Sequence, residues 1–177
     1  MVGLGNPGPE YAAMRHNAGF WLADALVARW ELPPFRRGER ARVTEGIVQD
    51  VPVRVLKPTT YMNASGAALA SLRADPAFNP VTDLLILVDE FRIPCGTFRL
   101  RAEGSAGGHN GLKSIEGALQ SSQYARLRIG VGPLPEGVSD WSEYVLAPFT
   151  AAQQEQVEAA MPAMVDAVTR WVREGIR

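Results

Sequence analysis

What the chain lacks narrows its chemistry first. A single cysteine, Cys95, among 177 residues excludes an internal disulfide and fits a reducing compartment. No thiolate-activating residue flanks Cys95 in sequence, so it reads as a buried, small apolar residue. Charge of either sign is not in excess: 18 Lys+Arg against 19 Asp+Glu leave a net of −1. That balance excludes a polybasic, histone-like binder and still permits a local basic face. No apolar run approaches the ~18–20 residues of a membrane span, and no secretory leader precedes the first glycines. The expectation is a cytoplasmic protein without membrane contact. Internal repeats, low-complexity tracts and a Pro/Gly/Ser-rich linker are also missing, which reads as one domain over 1–177. The 46% hydrophobic content is enough for a full core.

What is present alternates between helical and strand periods. Residues 17–32 carry Phe20, Trp21, Ala23, Leu26, Val27 and Trp30 at helical spacing up to Pro33-Pro34. Segments 42–48 and 52–57 predict a hairpin around Asp50, and 63–73 predicts a second helix. Leu84-Leu85-Ile86-Leu87-Val88 reads as a strand buried on both faces and ending at Asp89. Further strands are expected at 97–101 and 127–131, a helix at 112–119, and a long terminal helix at 153–174 kinked by Pro162. This alternation predicts one α/β domain.

The chemistry concentrates in the first seventeen residues. Gly3-Leu4-Gly5-Asn6-Pro7-Gly8 matches the dinucleotide fingerprint formally. It lacks the full preceding strand, the prompt helix and the acid at a second strand end that cofactor binding needs. His16, one of two histidines, is a candidate general base because imidazole titrates near neutrality. Asp89, at the end of a buried strand, can orient that imidazole and favour its protonated form, with a helix cap or turn as the plain alternative. Asn6, Asn63 and Asn110 offer amides that stabilise an oxyanion or hold water without changing charge, and each is equally ordinary at a cap. The Gly104–Ser114 stretch fails the Walker pattern at Leu112, yet a glycine-rich entry into a helix presents free N–H groups to a phosphate. Arg99, Arg101, Lys113, Arg126 and Arg128 supply a candidate basic patch. His109 falls in a flexible-looking loop, and no HxH or HxxxH spacing supports a metal triad. No G-x-S-x-G elbow marks a serine nucleophile.

Taken together these blocks resemble the bacterial peptidyl-tRNA hydrolase family. The matching stretches are Val2 to Gly8 with Tyr11 and Arg15 to Phe20, Lys57 to Gly66, Asp89 with Pro94, Gly104 to Ser114, and Arg126 to Gly132. The resemblance implies a single α/β domain, a twisted mixed sheet flanked by helices of phosphorylase/hydrolase-like type. It implies a monomeric, cofactor-free and metal-free esterase that cuts peptide from the tRNA 3′ ribose. On the matching positions His16 is the base, Asp89 its orienting carboxylate, and Asn6 a catalytic amide that holds the ester. Asn63 grips the first peptide unit and Asn110 the water or the 3′ end. Tyr11 and Met62 line a peptide groove, while Arg101 and Arg128 clamp the tRNA 5′ phosphate. Departures from the family pattern are Met14 for a usual threonine, Arg92 for a second acid, a short first strand and an early end. Two rival classes remain: an RNA-binding protein on the same scaffold without catalysis, and a nucleotide-cofactor enzyme.

Overall fold

Aliphatic stretches without polar alternation need cover on both faces, and here they form the middle of the sheet. The computed structural model describes residues 1–175. The chain passes through β1 (Val2–Gly3), α1 (Ala18–Arg29), β2 (Arg36–Arg37), β3 (Ala41–Val48) and β4 (Val51–Pro58). It continues with α2 (Ala70–Arg73), α3 (Pro80–Asp83), β5 (Leu85–Pro94), β6 (Phe98–Arg101), α4 (Asn110–Leu119) and β7 (Ala125–Gly132). Helices α5 (Trp141–Val145) and α6 (Ala151–Glu174) follow. The seven strands lie in the order β2-β3-β4-β1-β5-β7-β6. The inner pairs β4–β1, β1–β5 and β5–β7 are parallel, and β2–β3, β3–β4 and β6–β7 are antiparallel. The expected mixed sheet flanked by helices is the observed fold, a single domain.

Each face of the sheet has its own core. Leu85, Leu87, Leu127 and Ile129 pack with Leu22 and Leu26 of α1 and Val157, Met164, Val165 and Val168 of α6. On the other face Val2, Leu4, Leu56, Ile86 and Val88 meet Met62, Leu69, Leu112 and Ile115. Helix α1 lies close enough that a Cβ on Gly19 would collide with the carbonyl of Leu87 and the backbone of Leu4. Only glycine permits that approach. Because Gly3 pairs with Leu87 and Val2 with Leu56, residues just beyond β1, β4 and β5 emerge at one edge of the sheet. That edge collects Asn6, Met62 and Asn63, in line with the rule for open α/β sheets, while Asp89 lies within β5 itself.

Several expectations need correction. The buried strand does not end at Asp89; β5 runs on to Pro94 through a register irregularity between Glu90 and Pro94. Asp89 is therefore neither a cap nor a turn residue. Residues Met62–Leu69 form 3-10 turns, broken at Ala64, before the single turn α2. Their small residues seat the segment against α4, where a Cβ on Gly66 would strike the carbonyl of Ser114. The long terminal helix, by contrast, is present as α6 with Pro162 inside it. Helix α5 has no sequence counterpart in the periodicity. Cys95 is half-buried rather than buried, and it packs against the α1 side of the core, where burial pushes its thiol up. No helix among the described residues is long and apolar enough to cross a membrane.

Leu87 has no exposed surface and stands where β1, β5, β7 and α1 converge. Leu87→Ala should lower the unfolding free energy by about 2–5 kcal/mol in urea titrations. A loss below about 1 kcal/mol would contradict this packing.

Candidate active site

Three consecutive residues carry the site's first half. Arg15, His16 and Asn17 form one buried 3-10 turn ahead of α1. Asn17 exchanges two bonds with the backbone of Asn6: its Oδ1 accepts from Asn6 N and its Nδ2 donates to Asn6 O, both at 2.9 Å. The glycine-rich segment is thereby fixed to the histidine turn. His16 points the other way, with Nδ1 at 2.9 Å and 3.1 Å from the two oxygens of Asp89. A carboxylate only accepts, so Nδ1 carries the proton and the lone pair lies on Nε2. Among the described residues His16 Nε2 has no protein partner.

Asp89 holds a second imidazole, which the sequence did not indicate. His109 Nε2 lies 2.8 Å from Asp89 Oδ1, and the two imidazole centroids are 4.8 Å apart. His109 is also the N-cap of α4: its Nδ1 accepts from Gly111 N at 3.0 Å and Leu112 N at 3.3 Å. That places the His109 proton on Nε2, aimed at Asp89. Two expectations change. His109 is a buried structural member of the site rather than part of a flexible loop. The first free N–H groups of α4 are occupied by His109 and are not presented to a phosphate. Although no HxH spacing links them in sequence, the imidazole and carboxylate atoms of His16, Asp89 and His109 lie within 4.8 Å of one another. An ion there would have to displace the hydrogen bonds that join them.

Burial alone would raise the Asp89 carboxyl, but the charge of the two imidazoles and the hydrogen bonds they donate outweigh it, holding it well below the usual carboxylate range. For His16 burial works downward, and the Asp89 charge and hydrogen bond overcome it, so the imidazole is raised above its ordinary 6.5.

The asparagines divide their duties. Asn6 Oδ1 accepts from Met62 N at 2.8 Å, which leaves its Nδ2 as a donor with no acceptor among the described residues. Asn63 and Asn110 are exposed, and neither is a cap, since Tyr61 and His109 occupy those positions. Tyr11 packs edge-on against Tyr61 at 6.2 Å. Met62 is buried, with its sulfur against Gly111. A narrow cavity of about 10 Å³ leads off the Asp89–His109 side, between Phe91, Arg92, Trp141 and Val145. A separate groove of about 590 Å³ contains none of the site residues.

The basic patch is also reorganised. Register pairs Arg99 with Arg128 and Arg101 with Arg126, placing all four on one face of β6 and β7. Arg126 is fully buried, stacked on Tyr124 at 4.1 Å and bonded to carbonyls, so it is no surface cation. Arg128 bonds Glu90 at 3.3 Å and the Ser105 carbonyl at 2.7 Å, while Arg101 is exposed. Glu90 also takes Arg92, whose Nη2 donates to Gly107 O at 3.1 Å. The Gly104–Gly108 loop is thus pinned by arginines on Ser105 and Gly107.

Comparison with known proteins decides the family. The family model described as peptidyl-tRNA hydrolase matches residues 1–177. The chain belongs to the peptidyl-tRNA hydrolase family. It is a hydrolase of the class acting on the ester bond of peptidyl-tRNA. It is 45% identical to the peptidyl-tRNA hydrolase of Gemmatimonas aurantiaca over 177 residues, 99% of this chain and 93% of that protein. The Chloroflexus aggregans peptidyl-tRNA hydrolase is 41% identical over 176 residues, with the same two coverages, 99% and 93%. The crystal structure of the Acinetobacter baumannii peptidyl-tRNA hydrolase is 34% identical and superposes with a TM-score of 0.89, covering 97% of this chain and 87% of that one. Membership of the peptidyl-tRNA hydrolase family agrees with the resemblance of the motif blocks, and the fold agrees with it too.

Asp89→Asn removes the charge that raises His16 and keeps an oxygen acceptor. The His16 imidazole resonance should then titrate at lower pH than in the wild type. An unchanged titration would contradict the assigned pairing.

Proposed function

We propose that this peptidyl-tRNA hydrolase family member cleaves the ester with His16 as general base and water as nucleophile. The observation that carries the reading is the asymmetry of His16, with Nδ1 bonded to Asp89 and Nε2 unpartnered. Nε2 takes a proton from water as the hydroxide oxygen bonds to the ester carbonyl carbon. The Asn6 Nδ2 donor faces the oxygen on which negative charge develops. As the tetrahedral intermediate collapses, the C–O bond to the ribose breaks and the imidazolium returns its proton to the leaving 3′ oxygen. The products are the peptide acid and tRNA with a free 3′ hydroxyl. Asp89 supports the charge that His16 carries between the two proton transfers.

Substrate recognition in this reading is shared between the two exposed amides and the cations. Asn63 and Asn110 bind the backbone of the peptide and the 3′ end, with Tyr11 as a wall and Met62 as a floor. Arg101 and Arg128 take a tRNA phosphate, a contact weakened by salt. Because Arg128 already bonds Glu90, phosphate binding exchanges one anionic partner for another. The whole chain, 1–177, acts as one domain and one cytoplasmic monomer in this reading.

Hydrolysis of an N-blocked aminoacyl-tRNA tests it, with unblocked aminoacyl-tRNA as control. The wild type should release the blocked acyl group selectively, and His16→Ala should lose at least about 100-fold in kcat while keeping its fold. Activity retained by His16→Ala would remove the general base. tRNA binding without cleavage by the wild type would favour the RNA-binding alternative.

A further inference from the structure

Arg15 is a buried cation that the chemistry above does not use. It is 6% exposed, and among the described residues no carboxylate lies within ion-pair distance of it. Its guanidinium stacks on Tyr144 at 3.9 Å from the ring centroid, with Phe149 at 5.9 Å. Nη1 donates to Tyr144 O at 2.9 Å and Ala147 O at 3.4 Å, and Nη2 donates to Gln153 Oε1 at 2.8 Å. Among the described residues Nε is buried without a partner. Removing a guanidinium from water costs several kcal/mol, and neutral acceptors return only part of that. An aliphatic side chain of similar length would fill the space at less cost. A planar fork, unlike a methylene chain, can reach three acceptors in fixed directions.

Those acceptors lie in α5, on the α5–α6 connection and at the start of α6, 129 to 138 residues away in sequence. The backbone repeats the same joint: Arg15 N donates to Ala147 O at 3.1 Å, and Met14 bridges Pro148. The joint continues inward, since Gln153 Nε2 donates to Tyr144 Oη at 3.3 Å and Tyr144 Oη donates to Val131 O on β7 at 2.7 Å. The next residue along the turn is His16. Its ring therefore rests on a turn held on three sides, by Arg15 to α5–α6, by Asn17 to the Asn6 segment, and by His16 itself to β5.

We infer that Arg15 is a positioning residue for peptidyl-ester hydrolysis: its buried fork sets the orientation of the His16 imidazole toward Asp89 by fastening their turn to α5–α6. This rests on the reading of His16 as the base. The contacts of Arg15 run to α5, the α5–α6 connection and α6, so in this reading it acts through His16. The same fork holds α5, whose Trp141 and Val145 wall the cavity beside His109. Lysine carries the charge on a single nitrogen and lacks the planar fork that divides these acceptors between two nitrogens, and methionine keeps the bulk without charge or donors.

The test compares Arg15→Lys, Arg15→Met and Gln153→Leu with wild type, on folded protein. The readouts are kcat and KM for an N-blocked aminoacyl-tRNA and the pH titration of the His16 ring by NMR. Groups facing that ring are Asp89 from β5 and His109 from the α4 cap, and neither is altered. Both Arg15 variants should lose about 10- to 100-fold in kcat with KM little changed. The His16 titration should move to lower pH as its contact with Asp89 loosens, and Gln153→Leu should move both readouts in the same direction by less. A lower melting temperature with unchanged His16 titration and kcat would overturn the inference and leave Arg15 a purely structural residue. If the Arg15 variants do not fold, unchanged readouts in Gln153→Leu overturn it as well. Because the NMR titration needs no substrate, it stands whether or not His16→Ala abolishes turnover, so failure of the positioning role and of the general-base role are separable.

Discussion

The site depends on one buried carboxylate being shared by two imidazoles. Asp89 lies in the interior of a ten-residue strand, where an unpaired charge would be costly and would be expected to neutralise. It stays ionised because His16 and His109 both direct N–H groups at it. The sharing sets the tautomers. His109 must keep Nδ1 free to cap α4, so its proton faces Asp89, and Asp89 in turn holds the His16 proton on Nδ1. Nε2 of His16 is thereby left bare by a chain of constraints that begins at a helix end. The same contacts join three separate pieces of chain: the turn before α1, the central strand and the start of α4.

How much of this was legible follows from the kind of signal each residue gives. A run of five aliphatic residues announces a central strand, and β5 is that strand. Its length was misread because Asp89 and Glu90 look like solvent-facing terminators. Their charge is satisfied by partners from distant segments, His16 and His109 for one and Arg92 and Arg128 for the other. His16 stood out through its company in the glycine-rich block. His109 did not, because a histidine serving as an N-cap follows none of the usual Ser/Thr/Asp/Asn cues. A sequence signal was present in the glycines around it, which let the loop turn into α4, but nothing there fixes the ring against Asp89.

Arginines misled in the opposite direction. Arg126 counts toward the candidate basic patch in sequence, yet it is buried on an aromatic ring with carbonyl acceptors, as Arg15 is. One-dimensional charge patterns count such residues toward a basic face that they do not join. The alternation in β7 hinted at this, since Arg126 and Arg128 share a face with the loop that packs over it. The 3-10 course of residues 62–69 was likewise hidden. Alanine and glycine suit a helix locally, and the tight seat of Gly66 on α4 is a tertiary demand.

The most direct test of the central claim is the pH dependence of kcat/KM for cleavage of an N-blocked aminoacyl-tRNA by the unmodified protein. A base must be unprotonated to act, and His16 is raised by Asp89 above its ordinary 6.5. Activity should therefore fall tenfold per pH unit on an acid limb whose midpoint lies above that value. A profile that stays flat well below pH 6.5, or breaks with a midpoint beneath it, would contradict the shared carboxylate as the device that prepares His16.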